Sequence, residues 1–412
     1  MRSNAEAMRI LVAVVVLTAL ALLGSQRMRA GGTGASALHT LLGGSELMLV
    51  GLLLGRDFLG LVDEATLEGL RPFVFVALGW LAFLFGLQFE RRTLGHLPAG
   101  FAAISASVAA TTLAVVAPAA VLLLIALDDA SPGRAVALAA AALAASAACT
   151  GQSAIAVVDR RLRPAPRQVM TVLRLVSSLD PVVGVTVFGV ALSLLAPRAA
   201  AGAGWSWSLQ WPVAAICLGL LTAWLFVSLT VTRTNQAELV LYLLGIIALA
   251  SGVAVGFGVS VLFINFVCGL AVANLTQLGS IRVRVMDLMV RSESFLYLLL
   301  LVVAGACWRL PTGGAAAAVA AYVAVRLAGK AAGAWLATRG LARRHPVPPL
   351  LGLGLASQGG MGLAIVLEYR FAATGAVAAT AVGIGLTAVF VAELAAPWLV
   401  RRVAHRALEP AP

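Results

Sequence analysis

Lysine is nearly missing from this chain of 412 residues: 28 of its 29 basic residues are arginine, and the single lysine is Lys330. Charge of either kind is scarce at 11%, aromatics make up 7%, and 61% of residues are hydrophobic. That balance, with a mean hydropathy of +1.00, excludes an ordinary soluble globular domain and leaves a polytopic membrane protein. The four cysteines, Cys149, Cys217, Cys268 and Cys307, lie in or beside apolar runs and show no C-x-x-C spacing, so neither a disulfide framework nor a zinc site is supported. His39, His96, His345 and His405 are too scattered to ligate one metal through local spacing. Acidic residues number 17, giving a net charge of +12, but the arginines cluster in short loops between apolar runs. That is the pattern of cytoplasmic loops facing anionic lipid and carries no nucleic-acid signal.

What is present is a series of apolar runs. Hydropathy predicts about thirteen spans, at 8–24, 37–54, 72–89, 100–127, 134–157, 169–196, 211–232, 239–257, 259–277, 294–308, 314–338, 349–372 and 376–400. Arginines fill alternate loops, including one holding Arg282, Arg284 and Arg291, so the C-terminus is expected in the cytoplasm and the N-terminus outside. The run from Ile10 to Gly24 reads as a retained span, with a cleaved signal peptide as the alternative, and no hydrophilic domain is expected beside the bundle. The whole chain is one transmembrane domain. Glu46, Gly51 and Gly55 in the second run suggest close helix packing and a hydrogen-bonded acid.

The run Val169–Leu195 is the most unusual, because Ser177, Ser178, Asp180 and Pro181 interrupt its middle. An acid at a helix centre costs roughly 2.5–3.5 kcal/mol on insertion scales, so it persists facing a bundle interior, a cavity or a partner charge. Pro181 has no N–H to give the carbonyl of Ser177, and a carbonyl beside a carboxylate suits a small cation. A kink with a packing ion pair is the alternative. Two other spans are broken by small and polar residues: Cys149-Thr150-Gly151-Gln152-Ser153 in the fifth and Ser357-Gln358-Gly359-Gly360 in the twelfth. Interrupted spans in oppositely oriented triplets point to an inverted-repeat transporter with its site where the repeats meet. Lys330 adds a cation that, unlike arginine, can lose its proton when buried.

These residues resemble the monovalent cation:proton antiporter superfamily, in particular its second branch of bacterial sodium/proton and potassium/proton exchangers. The resemblance runs through Gly44-Ser45-Glu46-Leu47 with Gly51 and Gly55, Phe85-Gly86-Leu87-Gln88-Phe89-Glu90-Arg91-Arg92, Gly258-Val259-Ser260 with Phe266, Gly269-Leu270 and Asn274, Gln358-Gly359-Gly360, and Glu393 to Pro397. Arg56 stands where a proline is usual, and Ile264 and Asn265 replace a small pair. Leu179-Asp180-Pro181-Val182 also resembles a threonine-aspartate-proline motif that another branch carries on the preceding broken helix, a place Thr150 already fills.

The resemblance implies an all-α fold with two broken crossing helices. It also implies a homodimer in the bacterial inner membrane, with a core bundle at 100–196 and 314–400, a scaffold at 1–99 and 239–308, and a linking helix at 211–232. Asp180 is the implied seat of a transient monovalent metal ion or a proton, with Thr150, Ser177 and Ser178 completing the shell and Gly151, Gln358, Gly359 and Gly360 forming the breaks. Leu179 replaces the first of the two adjacent acids of electrogenic members, so electroneutral exchange is expected. Arg326 and Lys330 both fit the basic-x-x-Gly pattern; Lys330 is the better proton-linked candidate and Arg326 the better permanent partner for Asp180. Sodium and potassium both remain open as substrates, and no cofactor is expected. Rival readings are a potassium efflux subunit, an organic-anion carrier or a membrane sensor. An intramembrane protease needs two facing acids, and Glu46, Asp180, Glu368 and Glu393 form no such motif, so no enzyme is expected.

Overall fold

Asp63 opens the first long helix among the described residues by accepting from Thr66 through Oδ1, at 2.8 Å from the amide and 2.6 Å from the hydroxyl. The helix then runs Glu64–Leu87 without interruption at Pro72. Asn235 and Glu238 form a reciprocal capping box ahead of Gln236–Phe257, at 2.8 and 3.0 Å. Such caps satisfy amides that the first helical turn leaves without partners, a requirement that sharpens as water becomes scarce.

The computed structural model describes residues 46–91, 99–161, 167–196, 209–230, 235–275, 279–340 and 350–406. The first expected span and Gly43 to Ser45 lie outside them. In order, the helices are α1 (Glu46–Leu54), α2 (Glu64–Leu87), α3 (Ala99–Asp128), α4 (Arg134–Ala148), α5 (Ser153–Arg161), α6 (Arg167–Leu195) and α7 (Gln210–Thr230). They continue with α8 (Gln236–Phe257), α9 (Val261–Leu275), α10 (Gly279–Cys307), α11 (Gly314–Gly340), α12 (Leu351–Gly354), α13 (Gly359–Ala372) and α14 (Ala376–Arg406). Among the described residues nine helices are long and apolar enough to cross a membrane, α9 is a shorter apolar helix, and an isolated Gly55–Val62 bridge is the extent of β pairing. The chain is a multi-pass helical membrane protein.

One boundary needs correction. Hydropathy places the tenth span at 294–308, with Arg282, Arg284 and Arg291 in a loop, but α10 begins at Gly279 and carries all three arginines on the helix. Arg282 pairs with Glu90, and Arg291 pairs with Asp287 one turn earlier at 3.0 Å. Arginine is a good helix former, and a hydropathy window reads its charge rather than its backbone preference.

The described residues divide into two compact units, one from the described parts of Val50–His96 and Phe188–Cys307, the other from those of Gly31–Leu49, Leu97–Val187 and Trp308–Pro412. In the first, α2 and α9 lie so close that a Cβ on Gly86 would sit 2.2 Å from the Phe266 carbonyl oxygen, and one on Gly269 would sit 2.1 Å from that of Phe83. The contact is reciprocal, which explains why glycine stands at both places. Phe85, Phe89 and Phe266 pack beside it with ring centroids 5.0–6.1 Å apart.

In the second unit α3 packs along α11, and α13 lies against α4 and α14. Its core is built from Ile104, Val108, Ile155, Leu173, Val176, Leu351 and Leu355 with their neighbours. The side chains of the site described next all belong to this unit.

Candidate functional site

Helix α4 stops at Ala148 and α5 starts at Ser153, while α12 stops at Gly354 and α13 starts at Gly359. The two gaps touch. The Gly151 N–H donates to the Ser357 carbonyl at 3.1 Å, and the α-carbons are so near that a Cβ on Gly151 would meet Gly359 Cα at 2.6 Å. Gly359 also sits at φ +66°, where a side chain is strained. Glycine is required on both strands of this crossing.

An interrupted helix leaves carbonyls without intrahelical donors. Arg326 on α11 takes up four of them: Nε donates to Ala147, Nη2 to Cys149 and Ser357, each at 3.1 Å, and Nη1 to Ala356. Its guanidinium therefore stitches both gaps together. Lys330, one turn along α11, donates to the Ala148 carbonyl at 2.6 Å, to Thr150 Oγ1 at 2.8 Å and to Asp180 Oδ2 at 2.8 Å. An ammonium has three protons, and all three are used.

Asp180 on α6 receives the rest. Thr150 Oγ1 donates to Oδ2 at 2.8 Å, and Ser105 Oγ on α3 donates to Oδ1 at 2.6 Å. Asp180 and Lys330 are both 0% exposed. A buried carboxylate deprived of its partners would cost several kcal/mol, so one positive charge, whatever carries it, has to stay with Asp180. The hydroxyl of Thr150 bonds to both members of the pair and can face a cation with its oxygen lone pair.

The family model for the transmembrane part of sodium/hydrogen exchangers matches residues 32–402. This chain belongs to the sodium/hydrogen exchanger family. Its fold is that of the sodium proton antiporter MjNhaP1 from Methanocaldococcus jannaschii, with a TM-score of 0.71, 16% identity, and coverage of 98% of this chain and 100% of that one. No curated protein sequence matches the chain significantly.

Within this exchanger fold Asp180, Thr150, Lys330, Gly151 and Gly359 come together, but several expected neighbours turn elsewhere. The hydroxyls of Ser177 and Ser178 donate to carbonyls one turn back, Arg174 at 3.0 Å and Leu175 at 2.8 Å, as serines inside helices often do. Gln358 directs Nε2 to Ser146 Oγ at 3.2 Å, and Gly360 lies in the first turn of α13. Arg326, expected as the lasting partner of Asp180, is held by carbonyls, and Lys330 makes the ion pair. The reason is geometric: a planar fork matches several divergent carbonyls, while a compact ammonium fits between a hydroxyl and a carboxylate. Helix α6 runs on through Pro181 as far as Leu195. Sequence reasoning missed Ser105, because one hydroxyl in an apolar span has no distinguishing spacing.

Proposed function

We propose that this chain is a secondary transporter that exchanges a monovalent cation, sodium or potassium, for protons by alternating access. The observation that carries the reading is the Asp180–Lys330 ion pair, 2.8 Å long and buried where two interrupted helices meet, with Thr150 bonded to both partners. In the proposed cycle Asp180 holds one positive charge at a time. A dehydrated cation arriving at Asp180 displaces Lys330, whose ammonium gives up its proton to water on that side, and the cation takes the oxygens of Asp180, Thr150 and Ser105 as ligands. When the cation leaves on the opposite side, a proton from that side regenerates the Lys330 ammonium and with it the ion pair. One carboxylate exchanging one charge for another makes the cycle electroneutral. An uncompensated carboxylate is held back by its desolvation cost, which couples the two fluxes.

MjNhaP1 is described as a sodium proton antiporter, which supports the same chemistry for this chain. The Asp180 unit serves as the transporting bundle and the other as scaffold, in a homodimer of the bacterial inner membrane with its C-terminus in the cytoplasm. The test is cation-driven pH change in dye-loaded proteoliposomes. Asp180→Asn keeps the side-chain volume but cannot carry the charge, so exchange should fall to the level of empty vesicles while the purified protein keeps its oligomeric state. Undiminished exchange in this variant would reject the proposal.

A further inference from the structure

Helix α14 contributes a second carboxylate to the crossing, and it meets different ends of the broken helices. Glu393 Oε1 accepts from Ser357 Oγ at 2.6 Å and from the Gly359 N–H at 2.8 Å, while Oε2 accepts from Ser153 Oγ at 3.1 Å. Ser153 is the first residue of α5 and Gly359 the first of α13. One half-buried side chain thus holds the starts of both second half-helices. Ser357 also supplies the carbonyl that accepts from Gly151, the residue next to Thr150. A continuous path of bonds therefore leads from Glu393 through Ser357 and Gly151 to the hydroxyl on Asp180.

Glu393 is poorly suited to carry an ion itself. Its three donors are two hydroxyls and a backbone N–H, with no ammonium among them for an incoming cation to replace. Neither Asp180 nor Lys330 is among its bonded partners. We infer that Glu393 is a positioning residue for the exchange site: through these three hydrogen bonds it fixes the crossing of the two breaks and so sets where Thr150 meets the cation. This inference rests on the exchange reading above for its effect on transport, but not for its effect on the breaks.

The experiment compares Glu393→Ala with Glu393→Gln in the full chain. Glutamine keeps an acceptor for Ser357 and Gly359, and its amide can donate to the Ser153 hydroxyl, so it restores the bonds without the charge. In proteoliposomes driven by sodium or potassium, Glu393→Ala should raise the apparent KM for the cation roughly tenfold, the size expected when buried donors lose their acceptor. Glu393→Gln should stay within about twofold of the parent, since the acceptor is kept. Hydrogen–deuterium exchange should show faster exchange in Glu393→Ala at both 149–153 and 356–360, reversed in Glu393→Gln. An unchanged KM in Glu393→Ala overturns the inference, as does a Glu393→Gln variant as impaired as Glu393→Ala, which would mean that charge acts. Faster exchange at one break alone also overturns it. If the parent protein moves neither cation, the exchange reading fails, and the deuterium data alone decide whether Glu393 joins the breaks.

Discussion

At the scale of single residues, the arrangement around Asp180 separates groups that carry charge from groups that aim it. Lys330 and Thr150 share Oδ2, and Ser105 holds Oδ1. Ser105→Ala would remove the donor to Oδ1 and leave that oxygen buried without its hydroxyl, a loss of about 1–3 kcal/mol. If the hydroxyl oxygen also faces the cation, the expected outcome is an apparent cation affinity about tenfold weaker with maximal rate little changed. Concentration dependence of the dye signal measures it, and a KM within twofold of the parent would remove Ser105 from the site. The charged members were readable from sequence because an acid and a lone lysine inside apolar runs are costly exceptions. Ser105 was not, because a serine in a transmembrane helix is ordinary until its partner is known. The place of Arg326 was not legible for a related reason: residue type shows a permanent cation but not the four carbonyls that take up its donors.

At the scale of elements, the two gaps were legible and their closeness was not. Glycine and hydroxyl residues within an apolar run mark where a helix stops, and the observed ends at Ala148 and Gly354 fall where Gly151 and Gly359 predict a break. Contact between the gaps depends on packing far apart in sequence. It makes a sharp test, because Gly151→Ala places a methyl 2.6 Å from Gly359 Cα, whereas Gly245 on α8 has nothing within 4 Å of an added Cβ. Gly151→Ala should lower stability by about 1–3 kcal/mol through overpacking. Gly245→Ala should leave it unchanged or raise it by up to about 1 kcal/mol, since alanine is the better helix former. Thermal unfolding of the two variants in the same detergent checks the pair, and equal shifts would contradict the closeness of the crossing. Boundaries carried less information: the early start of α10 is set by arginine pairs that hydropathy counts only as interruptions.

At the scale of the whole molecule, composition and family motifs fixed the class of fold, and the division into two compact units added what no run of residues displays. Gly86 and Gly269 illustrate the link, since both belong to motifs quoted from sequence and prove to be the reciprocal contact between α2 and α9. If one carboxylate exchanges one charge for another, as proposed, transport should be blind to membrane voltage. Proteoliposomes clamped with a potassium ionophore at 0 and about −100 mV, where one uncompensated charge is worth about 2.3 kcal/mol, should show equal sodium-driven exchange rates. A rate that follows voltage would show that a second charge moves with each cycle. Leu179 beside Asp180 is the reason in the sequence for expecting this balance, and the Asp180–Lys330 ion pair is the one in the structure.

Arg326 has one last implication. A single guanidinium grips backbone oxygens from both severed helices, so unwinding either would strand acceptors belonging to the other. If the chain exchanges ions as proposed, the severed pair is expected to travel as one knot instead of being untied.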